Sequence, residues 1–388
     1  MHGGRFMNAK FSFNKMCFYI SSLQLGGAEL QVIRLSKYFI KRGIDVVLLT
    51  DYSEGQYMAR VPRGVKFYSL QGNKGIARIR AFKDFVAMEK PDFVAAASFS
   101  CAVTSLIANL LFGVDAKTFI LVTGRISRRN PNFREKLFRL TPLVLRLLSR
   151  QAAGFIAVSE DAAEDAVATL SIPKDMIEVI YNPVDCAELG YLAENGEITH
   201  EWLTKKNFPL IVAAGRLDPI KDFPTLVKAF AKVRETRDAR LIILGEGPER
   251  DRILKMTSSL GVAEWVDLPG YTDNPYVYMK KADVLALSSV AEGLSNVLIE
   301  AIALGTPVVS TDCGGPREIL NRGTVGKLVP VGDSEAMAKA ICELLDNPPS
   351  SSLLQAKARD FDLSVIGEKY LCCFNHFLRK ERMATNGN

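Results

Sequence analysis

Short apolar runs alternate with helix-period patterns along the whole chain. In the first half the runs are MCFYISSL, DVVLLT, DFVAAAS, TFILVTG, GFIAVSE and IEVIYNP. In the second half they are LIVAAGRL, RLIILGEG, EWVDLPG, DVLALSSV, TPVVST and GKLVPV. Most are continuously apolar, as strands covered on both faces must be. Strand and helix in repeated order predict parallel sheets with helices on both sides. A polar stretch, ELGYLAENGEITHEWLTKKN, interrupts the pattern. It divides the chain into a first domain over 1–185, a linker over 186–206 and a second domain over 207–365. The expected fold is α/β, with two doubly wound, Rossmann-like domains facing across a cleft. Ligands of such sheets bind outside the carboxyl ends of the strands.

The last segment, 366–388, predicts an amphipathic helix and a tail. Ile366, Tyr370, Cys373 or Phe374, Phe377 and Leu378 share one face, which must pack on another element. The stretch from Phe93 to Val114 carries no charge, but Ser98, Ser100, Thr104, Ser105 and Asn109 dilute it. It reads as a buried strand followed by a buried helix, not as a membrane span.

Composition adds limits. A chain of 388 residues with 48% apolar and 24% charged residues can build two sizeable cores. Seven cysteines without a CxxC pair suggest a reducing compartment and no disulfide framework. His2, His200 and His376 lie far apart, so no metal is expected. The first residues show no clean apolar core followed by a small-residue cleavage site, so a signal peptide is not expected. Charge is concentrated between Arg125 and Arg150, where eight basic residues and one acid give +7 in a chain of net +6. A single local patch argues against a nucleic-acid partner.

The candidate chemistry centres on AEGLSNVLIEAIALGTP, Ala291 to Pro307. Ser295 as N-cap and Gly305 as stop predict a helix from about Asn296 to Leu304. Asn296 and Glu300 fall in one narrow wedge and the rest is apolar. A carboxylate in so apolar a helix must face a polar ligand or a partner. The amino end of the helix offers amides and partial positive charge, which suit a phosphate. Glu292 and Gly293 lie in the turn ahead of it. GRLDPIKD places Arg216 and Lys221 beyond the first strand of the second half, where two cations can clamp a diphosphate. LGEGPE supplies Gly245 and Gly247, either as a plain turn or as a close approach to a base. LQLGGAE supplies Gly26 and Gly27 without the G-x-G-x-x-G dinucleotide fingerprint.

The set GGAE, VSE, NPVD, GRLDPIKD, LGEGPE and AEGLSNVLIEAIALGTPVVSTDCGG resembles the retaining glycosyltransferases of family 4, which have the GT-B architecture. The resemblance runs from about Lys15 to Phe377. It implies that Arg216 and Lys221, beside Gly215 and Gly245, bind the diphosphate of a nucleotide-sugar donor. It implies that Glu300 holds the ribose and that Glu292 contacts the donor sugar and takes part in catalysis. Backbone at Gly293, Leu294, Ser295 and Asn296 would contact sugar and phosphate, and Gly27 would line the cleft. The C-terminal helix would cross back onto the first domain. The resemblance breaks at LVTGRIS, where many members carry a histidine; Arg125 stands there instead, which leaves the donor sugar open.

The expected reaction is transfer of a hexose or N-acetylhexosamine from a UDP-linked donor, with retention and without a metal or other cofactor. The D-x-D of Asp360 and Asp362 reads as helix capping. Double displacement through Glu292 and same-face substitution both fit the sequence. Lys136, Arg139, Arg146 and Arg150 share a helical face with apolar neighbours, and Pro142 starts or kinks that helix. Such a helix suits an anionic membrane surface. The acceptor is then a lipid-linked or other saccharide of surface-polysaccharide synthesis. The enzyme is expected in the cytoplasm, peripheral on the inner face of the membrane. Competing readings are a sugar-nucleotide epimerase of the same architecture, a non-catalytic nucleotide-sugar binder and, with less support, a nicotinamide oxidoreductase.

Overall fold

The computed structural model describes residues 11–114, 116–127, 141–198, 200–205 and 207–386. The chain divides into two compact units, one of 1–183 with 363–388 and one of 184–362.

The first unit holds seven parallel strands: β1 (Lys15–Ile20), β2 (Asp45–Thr50), β3 (Lys66–Ser69), β4 (Phe93–Ala96), β5 (Thr118–Val122), β6 (Gly154–Ala157) and β7 (Ile177–Val179). Their order is β3-β2-β1-β4-β5-β6-β7. The second holds six parallel strands: β8 (Leu210–Ala214), β9 (Arg240–Leu244), β10 (Val266–Gly270), β11 (Val284–Leu287), β12 (Val308–Thr311) and β13 (Lys327–Val329). Their order is β10-β9-β8-β11-β12-β13. In each sheet the direction of winding reverses beside the first strand, between β1 and β4 and between β8 and β11.

Strands β4, β5, β6, β8, β11 and β12 are buried along their whole length, which is why they read as unbroken apolar runs. Strand β3 gave no such run. It is an edge strand, KFYS, with no fully buried residue, so no apolar run marks it. The uncharged stretch after Asp92 resolves into β4 and the helix Phe99–Phe112, capped by the Ser98 hydroxyl. No helix among the described residues is long and apolar enough to cross a membrane.

The segment expected as a linker is mostly helical. Asp185 caps a helix over Cys186–Asn195 by accepting from the Glu188 amide at 3.0 Å, and Leu189 and Ala193 are buried. The Asn274 amide donates to the Leu192 carbonyl at 2.8 Å, fixing this helix to the second unit. A short helix, Glu201–Thr204, follows. The segment looked polar because only one stripe of it is buried.

The last helix, Leu363–Asn386, begins before the expected 366 and runs into the stretch taken as tail. It belongs to the first unit. Ile366, Tyr370, Cys373, Phe374, Phe377 and Leu378 are all buried. The Phe374 ring lies 4.6 Å from Phe93 and 4.8 Å from Phe119, centroid to centroid. Tyr370 is held by a 2.7 Å bond from Gln31 on the helix Gly27–Lys41. The end of the chain therefore completes the core made by its beginning.

Candidate active site of the second unit

The loops after β8 and β11 flank the winding reversal of the second sheet, where carboxyl-end loops diverge and leave room for a ligand. The β8 loop runs from Gly215 into a 3₁₀ turn, Pro219–Lys221, ended by Asp222 in the left-handed region at φ 44°. Thr225 donates to the Asp222 carboxylate at 2.6 Å and stabilises that reversal. The β9 loop presses on it. The Leu217 amide donates to the Glu246 carbonyl at 2.8 Å, and a Cβ on Gly245, at φ 133°, would run into the Gly215 carbonyl oxygen. Gly245 thus serves close backbone approach between two loops.

The β11 loop is tied to the β8 loop along its length. The Val290 amide donates to the Ile220 carbonyl at 2.8 Å, and Ser288 Oγ donates to the Lys221 carbonyl at 2.8 Å. The Glu292 amide reaches the Cys313 carbonyl at 3.3 Å. A Cβ on Gly315 would strike the Gly293 carbonyl, so the glycine pair after β12 lets the Glu292 turn settle against it.

These ties bring Lys221 and Glu292 together across 71 residues of chain. Lys221 Nζ lies 2.5 Å from Glu292 Oε1, and Ser289 Oγ donates to the same oxygen at 2.6 Å. Both side chains are largely buried, at 20% and 12% exposure. Burial pushes the thiol of neighbouring Cys313 up to about 12; a bond from Thr311 opposes this and the Glu292 charge adds to it. The thiol stays neutral and adds no charge to the pair.

Arg216 does not join Lys221. Its guanidinium pairs with Asp218, with Nε 2.6 Å from Oδ2, and its side chain is 69% exposed. Each cation has its own carboxylate, because the turn at Pro219 separates them. Gly293, Leu294, Ser295 and Asn296 lead into the helix Asn296–Ala303. Ser295 occupies the N-cap position, but its hydroxyl makes no capping bond. Glu300 sits mid-helix at 4% exposure, so this carboxylate is withdrawn from bulk water.

The other sequence-derived candidates lie elsewhere. Gly27 opens the helix Gly27–Lys41 of the first unit, after Gly26 at its N-cap. Arg125 follows β5 and pairs with Asp161 at 3.1 Å, next to Asp165, which accepts from the Ile126 amide at 2.6 Å. Arg146 and Arg150 are exposed, and the intervening Leu147 is 73% exposed on the helix Thr141–Leu148. Lys136 and Arg139 lie outside the described residues. Asp360 pairs with Lys357 at 3.0 Å. Among the described residues no three His, Cys, Asp or Glu side chains converge as a metal site.

Sequence reasoning missed Ser288, Ser289 and Thr311, which bind the loops together. Buried hydroxyls at strand ends have no spacing signature. It also missed a cavity of about 350 Å³ beyond β9 and β10, lined by His200, Leu244, Pro269, Tyr271, Thr272 and Tyr278. His200 Nε2 is 2.8 Å from Asp267.

Comparison with known proteins gives the family of the chain. Residues 25–188 match the family described as Glycosyltransferase Family 4, and residues 208–347 match Glycosyl transferases group 1. Over 365 residues the chain is 28% identical to a *Campylobacter jejuni* enzyme, N-acetylgalactosamine-N,N'-diacetylbacillosaminyl-diphospho-undecaprenol 4-alpha-N-acetylgalactosaminyltransferase, covering 89% of this chain and 94% of that one. It is 37% identical over 142 residues to the lipopolysaccharide core biosynthesis glycosyltransferase LpsE of *Rhizobium meliloti*, covering 37% of this chain and 41% of that one. The fold resembles that of HepE of *Anabaena*, solved in complex with UDP, with a TM-score of 0.77 at 21% identity over 93% of this chain and all of the other. Two doubly wound units, the glutamate-bearing loop and helix after β11, and these family matches lead to one conclusion: the chain belongs to the family 4, group 1 glycosyltransferases, with the GT-B fold.

Proposed function

We propose that the enzyme moves a hexose or N-acetylhexosamine from a UDP-linked donor to a lipid-linked saccharide, with retention of configuration and without a metal. The observation that carries this is the Lys221–Glu292 pair at the winding reversal, directly ahead of a helix amino end with Glu300 buried behind it. Lys221 and the helix dipole stabilise negative charge growing on the leaving diphosphate. Arg216, on a long exposed side chain, exchanges Asp218 for the diphosphate. Glu300 accepts from the ribose hydroxyls. The cavity beyond β9 and β10 holds the base, about two strand spacings, or roughly 10 Å, from the reacting end.

In the chemical step the bond from the anomeric carbon to the diphosphate oxygen breaks, and its electron pair leaves with the diphosphate. The acceptor oxygen bonds to that carbon on the same face, and its proton passes to the departing phosphate. The two donors on Glu292 Oε1 draw negative charge away from the carboxylate as a whole, which lowers its nucleophilicity and suits it to orienting the sugar. This favours same-face substitution over a covalent intermediate on Glu292.

The lipid-linked acceptor is supported by the diphospho-undecaprenol substrate in the name of the *Campylobacter* relative. The exposed face of Leu143, Arg146, Leu147 and Arg150 supports peripheral attachment to an anionic membrane surface on its cytoplasmic side. The protein should float with vesicles containing phosphatidylglycerol, and salt should release it. Replacing Arg146 or Arg150 by Glu should weaken vesicle binding at least about five-fold each, from ~1 kcal/mol per surface cation. Vesicle binding unaffected by these changes would remove the membrane role.

The transfer itself is tested by incubating the enzyme with UDP-sugars and a polyprenol-linked lipid extract. Release of UDP that depends on the lipid supports transfer. Interconverted UDP-sugar without acceptor would instead identify an epimerase, and binding without turnover a non-catalytic homologue.

A further inference from the structure

Glu292 lies in a loop whose backbone is held there by a β-bridge to Gly314, but its side chain beyond the backbone has three rotatable bonds. Its ion-pair partner, Lys221, is longer and more flexible still. Two flexible chains joined at their tips can swing together, and holding both in one geometry costs rotamer entropy. Something short and fixed has to set the direction of the carboxylate.

Ser289 meets that need. It is fully buried, two residues past the end of β11, and its side chain turns on a single torsion. Its carbonyl accepts from Thr311 Oγ1 at 2.5 Å, which anchors the residue to the end of β12. Its hydroxyl donates to Glu292 Oε1 at 2.6 Å, on the oxygen that Lys221 also holds. Among the described residues no hydrogen bond is made to Glu292 Oε2. Ser288, one residue earlier, fixes the Lys221 backbone through its carbonyl.

We infer that Ser289 is a positioning residue for the transfer: by fixing Oε1 it presents Glu292 Oε2 to the donor sugar. This rests on the transferase function proposed above. A neutral hydroxyl can orient the carboxylate without neutralising it, whereas a second cation would compete with Lys221 for the same charge.

The test is a double-mutant cycle of Ser289→Ala and Glu292→Gln. UDP release is measured from UDP-glucose, UDP-galactose, UDP-N-acetylglucosamine and UDP-N-acetylgalactosamine with polyprenol-linked lipid extract. Ser289→Ala is expected to lower kcat by about ten-fold or more, the scale of a lost hydrogen bond to a charged group, with donor KM changed less than about two-fold. In the Glu292→Gln background it should lower kcat no further, because its route of action is already gone. Equal losses in both backgrounds would show a structural role and overturn the inference, as would a raised KM with kcat intact. If wild-type enzyme releases UDP from none of the donors, the transferase function falls and this inference with it. Should the alanine variant fail to fold, Ser289→Cys, similar in volume but a poor donor, takes its place in the same cycle.

Discussion

Lys221→Ala is expected to lower kcat by about a hundred- to a thousand-fold, the usual consequence of removing one preorganised donor from a developing anion. The ammonium is largely withdrawn from water, so its charge is less screened than that of a surface lysine. The variant also strands Glu292, whose Oε1 then keeps the Ser289 hydroxyl but no cation among the described residues. Some stability will therefore be lost as well, because an acid is left without its cation in a nearly closed site. The two effects separate experimentally. Glu292→Gln keeps the shape of the side chain and leaves an amide oxygen for the Lys221 ammonium, so it should lose less stability than Lys221→Ala while its turnover falls strongly. Rates and melting curves taken together on both variants decide the matter. If Lys221→Ala remains folded and turns over at the wild-type rate, the leaving-group role of Lys221 is wrong. Arg216→Ala should be milder in stability than either, since its guanidinium is exposed and, among the described residues, pairs with Asp218 alone.

Phe374→Ala should cost about 3–5 kcal/mol of stability in the first unit. The ring is fully buried and sits against Phe93 and Phe119, with Tyr370 at 5.8 Å, Phe13 at 6.4 Å and Phe39 at 6.4 Å. Those rings come from β4, β5 and three other parts of the unit, so a smaller side chain leaves a hole that no single element can close by shifting. Trp202 and Trp265, the two tryptophans of the chain, both lie in the second unit. Their fluorescence in urea follows that unit, while hydrogen exchange measured by mass spectrometry follows β1, β4 and β5. Exchange in those strands should accelerate sharply in the variant, with the tryptophan transition moved far less. Protection of β4 and β5 equal to wild type would contradict this account of the core.

Hydrophobic pattern alone determined the strands of both sheets wherever they were covered on two faces, since such strands must be apolar throughout. It determined the helix after β11 as well. Ser295, Gly305 and Pro307 bounded it, and an acid among Val297, Leu298, Ile299, Ala301 and Ile302 marked it as exceptional. The half-exposed β3 escaped because an edge strand need not be apolar, and the helix Cys186–Asn195 because burying one stripe leaves a mostly polar composition. Only the tertiary structure decided who meets whom. Lys221 and Glu292 are joined by loops from β8 and β11, neighbours in the sheet but far apart in the chain. Arg216, chemically the better diphosphate ligand, turned to Asp218 instead, and Arg125 to Asp161. Local sequence fixes which backbone each residue adopts, because propensity and burial act over a few positions. Pairing of charges depends on strand order and loop contact, which no local pattern encodes.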